Sequence, residues 1–311
     1  MRDFLVRRLI QSALLLFVLM SFTFVLTRLT PGGPESALLE QPNMEKEDIE
    51  RLRERFGLND PLHVAYFKWI SSALRLDFGR SYHYLRPPLD IIRERLGPTL
   101  QLGAVAYAIG LLGIPLGLVA AFNRGRWPDV TIRVVTVMGD AAPNWWLALV
   151  IIVLLATYVG WFPQGQGRGG PLDWFGHIIV PALILGLGIM IAFTRYLRSQ
   201  VLEVLGQDHV RTARAKGLSE HLVANRHVLR NALIPAVTLF GGVLPFLLSG
   251  AALTESIFNW PGMGRLFLEA ANTRDYPLLL AIITVLTLAT LIGTLIADLL
   301  YGFVDPRIRY R

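Results

Sequence analysis

Six long apolar runs constrain this chain more than any other feature. A hydrocarbon layer about 30 Å thick is crossed by roughly 20 helical residues. Runs of that length extend from Leu9 to Leu29, Pro98 to Phe122, Ile132 to Gly160, His177 to Arg198, Ala232 to Thr254 and Leu278 to Phe303. With 53% hydrophobic and only 17% charged residues and a mean hydropathy of +0.47, the chain is too apolar for an ordinary water-soluble domain. The expected fold class is an all-α integral membrane protein with six transmembrane helices. Asp140 and Pro143 divide the third run into two apolar halves, so it is either a broken or a tilted helix. The first run follows Arg7 and Arg8 as a secretory signal would. It continues without a small-residue cleavage site, so it reads as a retained helix.

Lys and Arg in the short connections set the orientation. Arg2, Arg7 and Arg8 precede the first run, Arg124, Arg126 and Arg133 lie around the second connection, and seven basic residues lie between Arg195 and Arg230. Arg307, Arg309 and Arg311 close the chain, whereas the connections at 161–176 and 255–277 hold only Arg168, Arg265 and Arg274. Both termini are therefore expected in the cytoplasm of a multi-pass protein of the cell membrane. The formal charge of +7 belongs to this topology and not to nucleic-acid binding.

Several chemistries are excluded. With no cysteine there is no disulfide framework, thiolate metal site or cysteine nucleophile, and the six histidines form no HExxH pair. Neither a GxxxxGK[ST] phosphate loop nor a GxSxG elbow occurs. The chain is thus expected to be no enzyme and to hold no metal or cofactor; any energy source is another subunit or an ion gradient.

Four regions carry further information. Between the first two runs, Asn43 can cap a helix whose acids (Glu45, Glu47, Asp48) precede its bases (Arg51, Arg53, Arg55), with Ile49, Leu52 and Phe56 on one face and Gly57 at its end. Leu62, Tyr66, Trp69 and Ala73 define a second amphipathic stretch, and Leu89, Ile92 and Leu96 a third. These read as a small cap on the outer mouth or as a surface for a partner protein. In the second run Gly110, Gly113 and Gly117 form a face that another helix can approach closely. At membrane depth Asp140 faces a hydrated cavity or a buried hydrogen bond, while Arg133 and Asp298 lie near span ends and can reach water.

The most patterned region is the polar stretch from Asp208 to Pro235. Asp208 can cap a helix of about two turns containing Ala213 and Ala215, Gly217 can close it in the left-handed conformation, and Ser219 can cap a second helix with Glu220 in its first turn. A basic loop on anionic lipid is the alternative reading. RTARAKG (Arg211 to Gly217) followed by RNALIP (Arg230 to Pro235) resembles the EAA-type coupling loop of ATP-binding-cassette (ABC) importer permeases, with Arg211 and Thr212 where the general pattern has Glu and Ala. PGGP at 31–34, RFGLNDP at 55–61, the stretch from Glu255 to Pro277 and DLLYGFVDPRIR from Asp298 to Arg309 are similar to the first of the two permeases of dipeptide, oligopeptide, glutathione and nickel importers.

The resemblance implies a type I importer transmembrane domain. It divides the chain into residues 1–96, the first helix plus a small helical extracytoplasmic segment, and 97–311, the permease domain with its coupling loop at 199–231. It implies a second homologous permease, two cytoplasmic ABC ATPases that hold ATP and Mg, an extracytoplasmic solute-binding protein, and surrounding membrane lipid. Asp208, His209, Arg211, Thr212, Ala213, Arg214, Ala215, Lys216 and Gly217 would form the ATPase-coupling element. Asp140, Asn144, Glu255, Asn259, Trp260 and Gly262 are candidates for the pathway or its gate. From its chemistry alone Trp260 would anchor at the headgroup level; the resemblance places it at an entrance. The implied function is permeation of di- or oligopeptides driven by ATP hydrolysis in partner subunits. Alternatives are a nickel or glutathione importer permease and, from a different class, an ATP-independent secondary transporter.

Overall fold

The structure, a computed structural model, describes residues 2–29, 59–167, 170–233 and 252–304. Among them every regular element is helical. In chain order these are α1 (Arg2–Leu29), α2 (Leu62–Ala73), α3 (Pro88–Gly110), α4 (Gly113–Phe122), α5 (Trp127–Ala141), α6 (Asn144–Leu154), α7 (Pro171–Leu205), α8 (Asp208–Ala215), α9 (Glu220–Leu222), α10 (Ala252–Ile257), α11 (Met263–Asn272) and α12 (Tyr276–Val304). Short π-helical segments extend α6 (Leu155–Val159) and α9 (Val223–Leu229).

Among the described residues four stretches are long and apolar enough to cross a membrane: Val6–Leu29, Pro88–Phe122, Leu172–Leu205 and Tyr276–Ile296. The third expected span is broken, since α5 and the α6 segment meet at 93°. Pro143 is the cause. It disfavours helical geometry in the residue before it, and Ala142 is extended at φ −100°, ψ 128°. The fifth expected span, Ala232 to Thr254, lies almost wholly outside the described residues, as do the helix expected after Asn43 and PGGP at 31–34.

The second span starts earlier than expected. Leu89, Ile92 and Leu96 belong to α3 itself and do not form a separate outer helix, because Pro88 sits at the first turn and the helix runs on through Pro98. The second amphipathic stretch is α2, and its expected face packs inward through Tyr66, Trp69 and buried Ala73, joined by buried Ala65; of the expected residues Leu62 is exposed. Phe24 of α1 and Leu280 of α12 receive it, so residues 59–87 cap the ends of α1 and α12.

The glycine face of α3 and α4 closes on α7. A Cβ at Gly110 would lie 2.5 Å from Ile189 Cγ2, one at Gly117 2.7 Å from the Thr194 carbonyl, and one at Gly113 would overlap the Met190 carbonyl. Gly186 returns the contact from α7, where a Cβ would lie 2.6 Å from the Ala106 carbonyl. These helices meet backbone to backbone. Gly113→Ala is therefore expected to cost about 1–3 kcal/mol through overpacking. The measurement is the thermal unfolding midpoint in detergent; an unchanged midpoint would show that the two helices can separate freely.

Candidate functional site

α7 is 35 residues long, about 52 Å at 1.5 Å per residue, and therefore outruns the hydrocarbon core. Its projecting end, through Val201 and Val204, forms an apolar cluster with Ala121, Val223, Val228 and Ala232. α8 sits on this cluster by Val210 and Ala213, both buried. Its other residues, Asp208, His209, Arg211, Thr212, Arg214 and Ala215, are exposed, as are Lys216 and Gly217 beyond it.

The end of α8 has the form expected of its glycine. Gly217 takes φ +76°, its N–H donates to the Arg214 carbonyl at 2.9 Å, and the Leu218 N–H reaches the Ala213 carbonyl at 3.4 Å. This is the paired bonding of a Schellman ending, and Leu218 packs on the same cluster as Ala213. Arg214 then grips Glu220 of α9 with two bonds, at 2.9 and 3.0 Å. His209 Nε2 lies 3.2 Å from both the His227 carbonyl and Asn231 Nδ2. Helix, turn and returning segment are thus tied into one unit. One expectation is corrected: Asp208 is not the cap, since Gln207 occupies that position, with no side-chain cap bond, and Asp208 is the first helical residue. The small side chain of Ala213 packs against the chain's own α7 and π segment, while Ala215 is exposed.

At the opposite end of the spans the hairpin of α10 and α11 is clipped to one turn of α3. The Trp260 indole donates to the Pro98 carbonyl at 2.9 Å, Thr99 Oγ1 donates to Glu255 Oε1 at 2.9 Å, and the Met263 N–H donates to Thr99 Oγ1 at 2.6 Å. Glu255 is fully buried and also accepts the Arg265 N–H at 3.0 Å. A Cβ at Gly262 would collide with the Glu255 carboxylate, so any larger residue there requires that buried carboxylate to shift. Asn259 takes φ +51° and its carbonyl side-chain oxygen accepts from Arg265. Headgroup anchoring of Trp260 is overturned: the ring is fully buried among Leu102, Ala106, Ile178, Ala182 and Leu185.

The segment before α3 is fixed to the same hairpin. Buried Asp275 accepts from Ser81 Oγ and from the His83 N–H at 3.2 Å, and Tyr84 donates its hydroxyl to Glu269 Oε2 at 2.9 Å. Burial pushes the Tyr84 phenol above its ordinary pKa, and the Glu269 carboxylate adds to the effect.

Two ion pairs join α5 to α7. Asp140 meets Arg195 at 2.5 Å, with both side chains more than half exposed. Asn144, just beyond the break, is also exposed, and its amide lies 3.2 Å from where a Cβ on Gly188 of α7 would stand. Asp129, 1% exposed, takes two bonds from Arg198 at 2.6 and 3.0 Å and one from the Gly125 N–H at 2.9 Å, with Arg133 at 3.5 Å. Arg133 stands mid-way along α5 and not near a helix end, and is accounted for by this pairing, while the Asp298 side chain lies outside the described residues. Sequence reading passed over Asp129, although Trp127–Pro128–Asp129 opens a helix and Arg133 follows at i+4; its principal partner is 69 residues away.

Comparison with known proteins agrees with this architecture. Residues 113–310 match the family described as binding-protein-dependent transport system inner membrane component, and residues 1–103 match the N-terminal region of such membrane components. The oligopeptide transport system permease protein AppB of Bacillus subtilis is 38% identical over the full length of both chains. A putative peptide permease protein of Brucella ovis is 37% identical over 99% of each, and the glutathione transport system permease protein GsiC of Escherichia coli K12 is 36% identical over all of both. Among solved structures, a chain of the inward-facing MetNI methionine ABC transporter superposes with a TM-score of 0.54, covering 70% of this chain and 97% of that one at 16% identity. A chain of an amino acid ABC transporter gives 0.51, covering 71% and 95% at 14% identity. The fold is that of an ABC importer transmembrane domain, and the chain belongs to the family of binding-protein-dependent transport system inner membrane components.

Proposed function

We propose that this chain is one of the two permease subunits of an ABC importer for di- or oligopeptides, and that α8 is its contact with a cytoplasmic ATPase. The observation that carries the reading is the form of α8: a short helix seated by Val210 and Ala213, closed by Gly217 and presenting Arg211, Thr212, Arg214, Ala215 and Lys216 outward. A short helix tied at both ends to longer ones moves with them as a body. ATP and Mg belong to the ATPases, and an extracytoplasmic binding protein delivers the solute. Both termini are cytoplasmic on the charge count.

Peptide as the substrate class rests on full-length similarity to permeases named for oligopeptide and glutathione. The glutathione relative favours a second reading, a narrower importer for glutathione itself. Identifying the ligand carried by the purified binding protein separates the two. In the pathway reading, Asp140, Arg195 and Asn144 face hydrated or protein surface, because charge turned to lipid at that depth costs about 2.5 kcal/mol or more. The hairpin holding Glu255, Asn259, Trp260 and Gly262 gates the other end by moving with α3, to which it is clipped.

Crosslinking tests the coupling assignment, and the absence of native cysteine makes it clean. In the assembled importer Ala215→Cys is expected to crosslink to the ATPase, and Ala213→Cys, buried within the chain, to give at most a small fraction of that yield. No crosslink from Ala215→Cys or Thr212→Cys with reagents of two lengths would leave the anionic-lipid reading of this loop as the better one.

A further inference from the structure

The turn at 123–126 joins the end of the span Pro88–Phe122 to α5. Two observations fix its place. The apolar span stops at its edge, and Ala121 packs in the same cluster as Val210 and Ala213 of α8. The turn therefore lies at a membrane–water boundary on the α8 side, which the charge count assigns to the cytoplasm. Its shape is held by its own bonds. Asn123 Nδ2 donates to the Val119 carbonyl at 2.9 Å, the Arg126 N–H donates to the Asn123 carbonyl at 2.9 Å, and Gly125, at φ +76°, donates its N–H to Asp129 Oδ2 at 2.9 Å.

This fixed turn carries Arg124 and Arg126. Both are exposed, and neither side chain makes a hydrogen bond or ion pair among the described residues. The carboxylates nearby do not offset them. Asp129, the only acid between Glu94 and Asp140 in the sequence, is buried under Arg198, with Arg133 beside it. Glu203, exposed near the end of α7, pairs with neither arginine; counted against the turn, it would still be outnumbered by Arg124, Arg126 and half-exposed Arg133. The flank is apolar. Trp127 is 79% exposed, and Val130 and Val134, which follow it at helical spacing along α5, are exposed as well.

We propose that the 123–126 turn binds the phosphate of an anionic glycerophospholipid of the cytoplasmic leaflet, with Arg124 and Arg126 on the headgroup and the acyl chains along Trp127, Val130 and Val134. The inference rests on the cytoplasmic placement of the α8 end. A tryptophan at the edge of a span belongs at headgroup level, uncompensated cations there attract anionic lipid, and the aliphatic face that continues along α5 needs apolar cover. A soluble acidic partner would account for the arginines and leave Trp127 and the valines in water. Lipid accounts for all of them.

The test uses the complete importer in nanodiscs containing phosphatidylglycerol or phosphatidylcholine, with retained lipid read by native mass spectrometry after stepwise delipidation. Phosphatidylglycerol is expected to be retained in preference to phosphatidylcholine. Arg124→Gln and Arg126→Gln should each lower its retention about fivefold, the worth of one cation near a charged lipid surface, and the double variant about 25-fold. Arg75→Gln, which removes an exposed cation just after α2, should leave retention unchanged. Equal retention of the two lipids, wild-type retention by the double variant, or an equal loss in Arg75→Gln overturns the proposal. Displacement of the lipid by millimolar inorganic phosphate would make this a soluble-anion site and overturn it too. Release of the second permease or the ATPases by the double variant, in place of lipid loss, would make the turn a protein contact and overturn it equally. Crosslinking of Ala215→Cys to the ATPase in the same complexes reports the placement of α8 separately, so that with the crosslink present a failure of lipid retention counts against this site alone.

Discussion

Gly217→Val is expected to abolish uptake while the membrane helices remain folded. Gly217 sits at φ +76°, and an added Cβ would meet nothing within 4 Å. The effect therefore comes from the backbone and not from a clash. A non-glycine residue held in the left-handed region costs about 1–3 kcal/mol, and a β-branched one fits it worst. The chain can escape that cost by giving up the two bonds that end α8, from Gly217 to Arg214 and from Leu218 to Ala213. Leu218 would leave the cluster under Ala213, and α8 would point elsewhere. Gly217→Asn is the control, because asparagine tolerates this conformation. In reconstituted vesicles the Asn variant should retain most uptake and the Val variant almost none, with ATP hydrolysis either lost or uncoupled from transport. Equal uptake by the two variants would sink the idea that the direction of α8 matters.

Asp129→Ala should be the most destabilising single change within the described residues. The carboxylate is 1% exposed and neutralises Arg198, whose side chain is only 22% exposed, while also holding the Gly125 N–H and drawing in Arg133. Removing one partner of such a buried pair costs about 3–5 kcal/mol, because the other charge stays behind without compensation. Asp129→Asn keeps an acceptor and should cost less. The double change Asp129→Leu with Arg198→Met removes both charges and should recover much of the lost stability. Thermal unfolding of the solubilised chain, read alongside membrane yield, measures all three. A double variant as unstable as Asp129→Ala would show that loss of shape, and not the stranded arginine, is responsible.

Local signals carried a large part of this architecture. Apolar runs of spanning length needed only counting, and the structure places helices on four of them and a broken pair on the third. Gly217 was legible because a left-handed closing residue has a compositional signature, and the bend at Pro143 because the ring constrains the residue before it. The glycine face of α3 and α4 announced a close neighbour without naming α7. Side chains that act across the chain were harder to read. Periodicity reports which face of a helix is apolar, not which helix lies opposite. Thus Asp129 with Arg198, Thr99 with Glu255, and Ser81 with Asp275 emerge only when residues 69, 156 and 194 positions apart are brought together. Trp260 shows the same limit in reverse: a tryptophan in an outer loop resembles an interfacial anchor until the loop folds back and drives the ring between α3 and α7.

The length of α7 has a mechanical consequence. Its backbone contacts with the glycines of α3 and α4 fall between Gly186 and Leu197, centred near Met190. From there about 28 Å of helix runs to the end at Pro171 and about 22 Å to the end at Leu205. Packing continues to both sides of this contact, Ile178 and Ala182 lying with Leu102 and Ala106 and Val201 and Val204 with Ala121, so α3, α4 and α7 make one stiff unit that carries a tilt imposed at either end to the other.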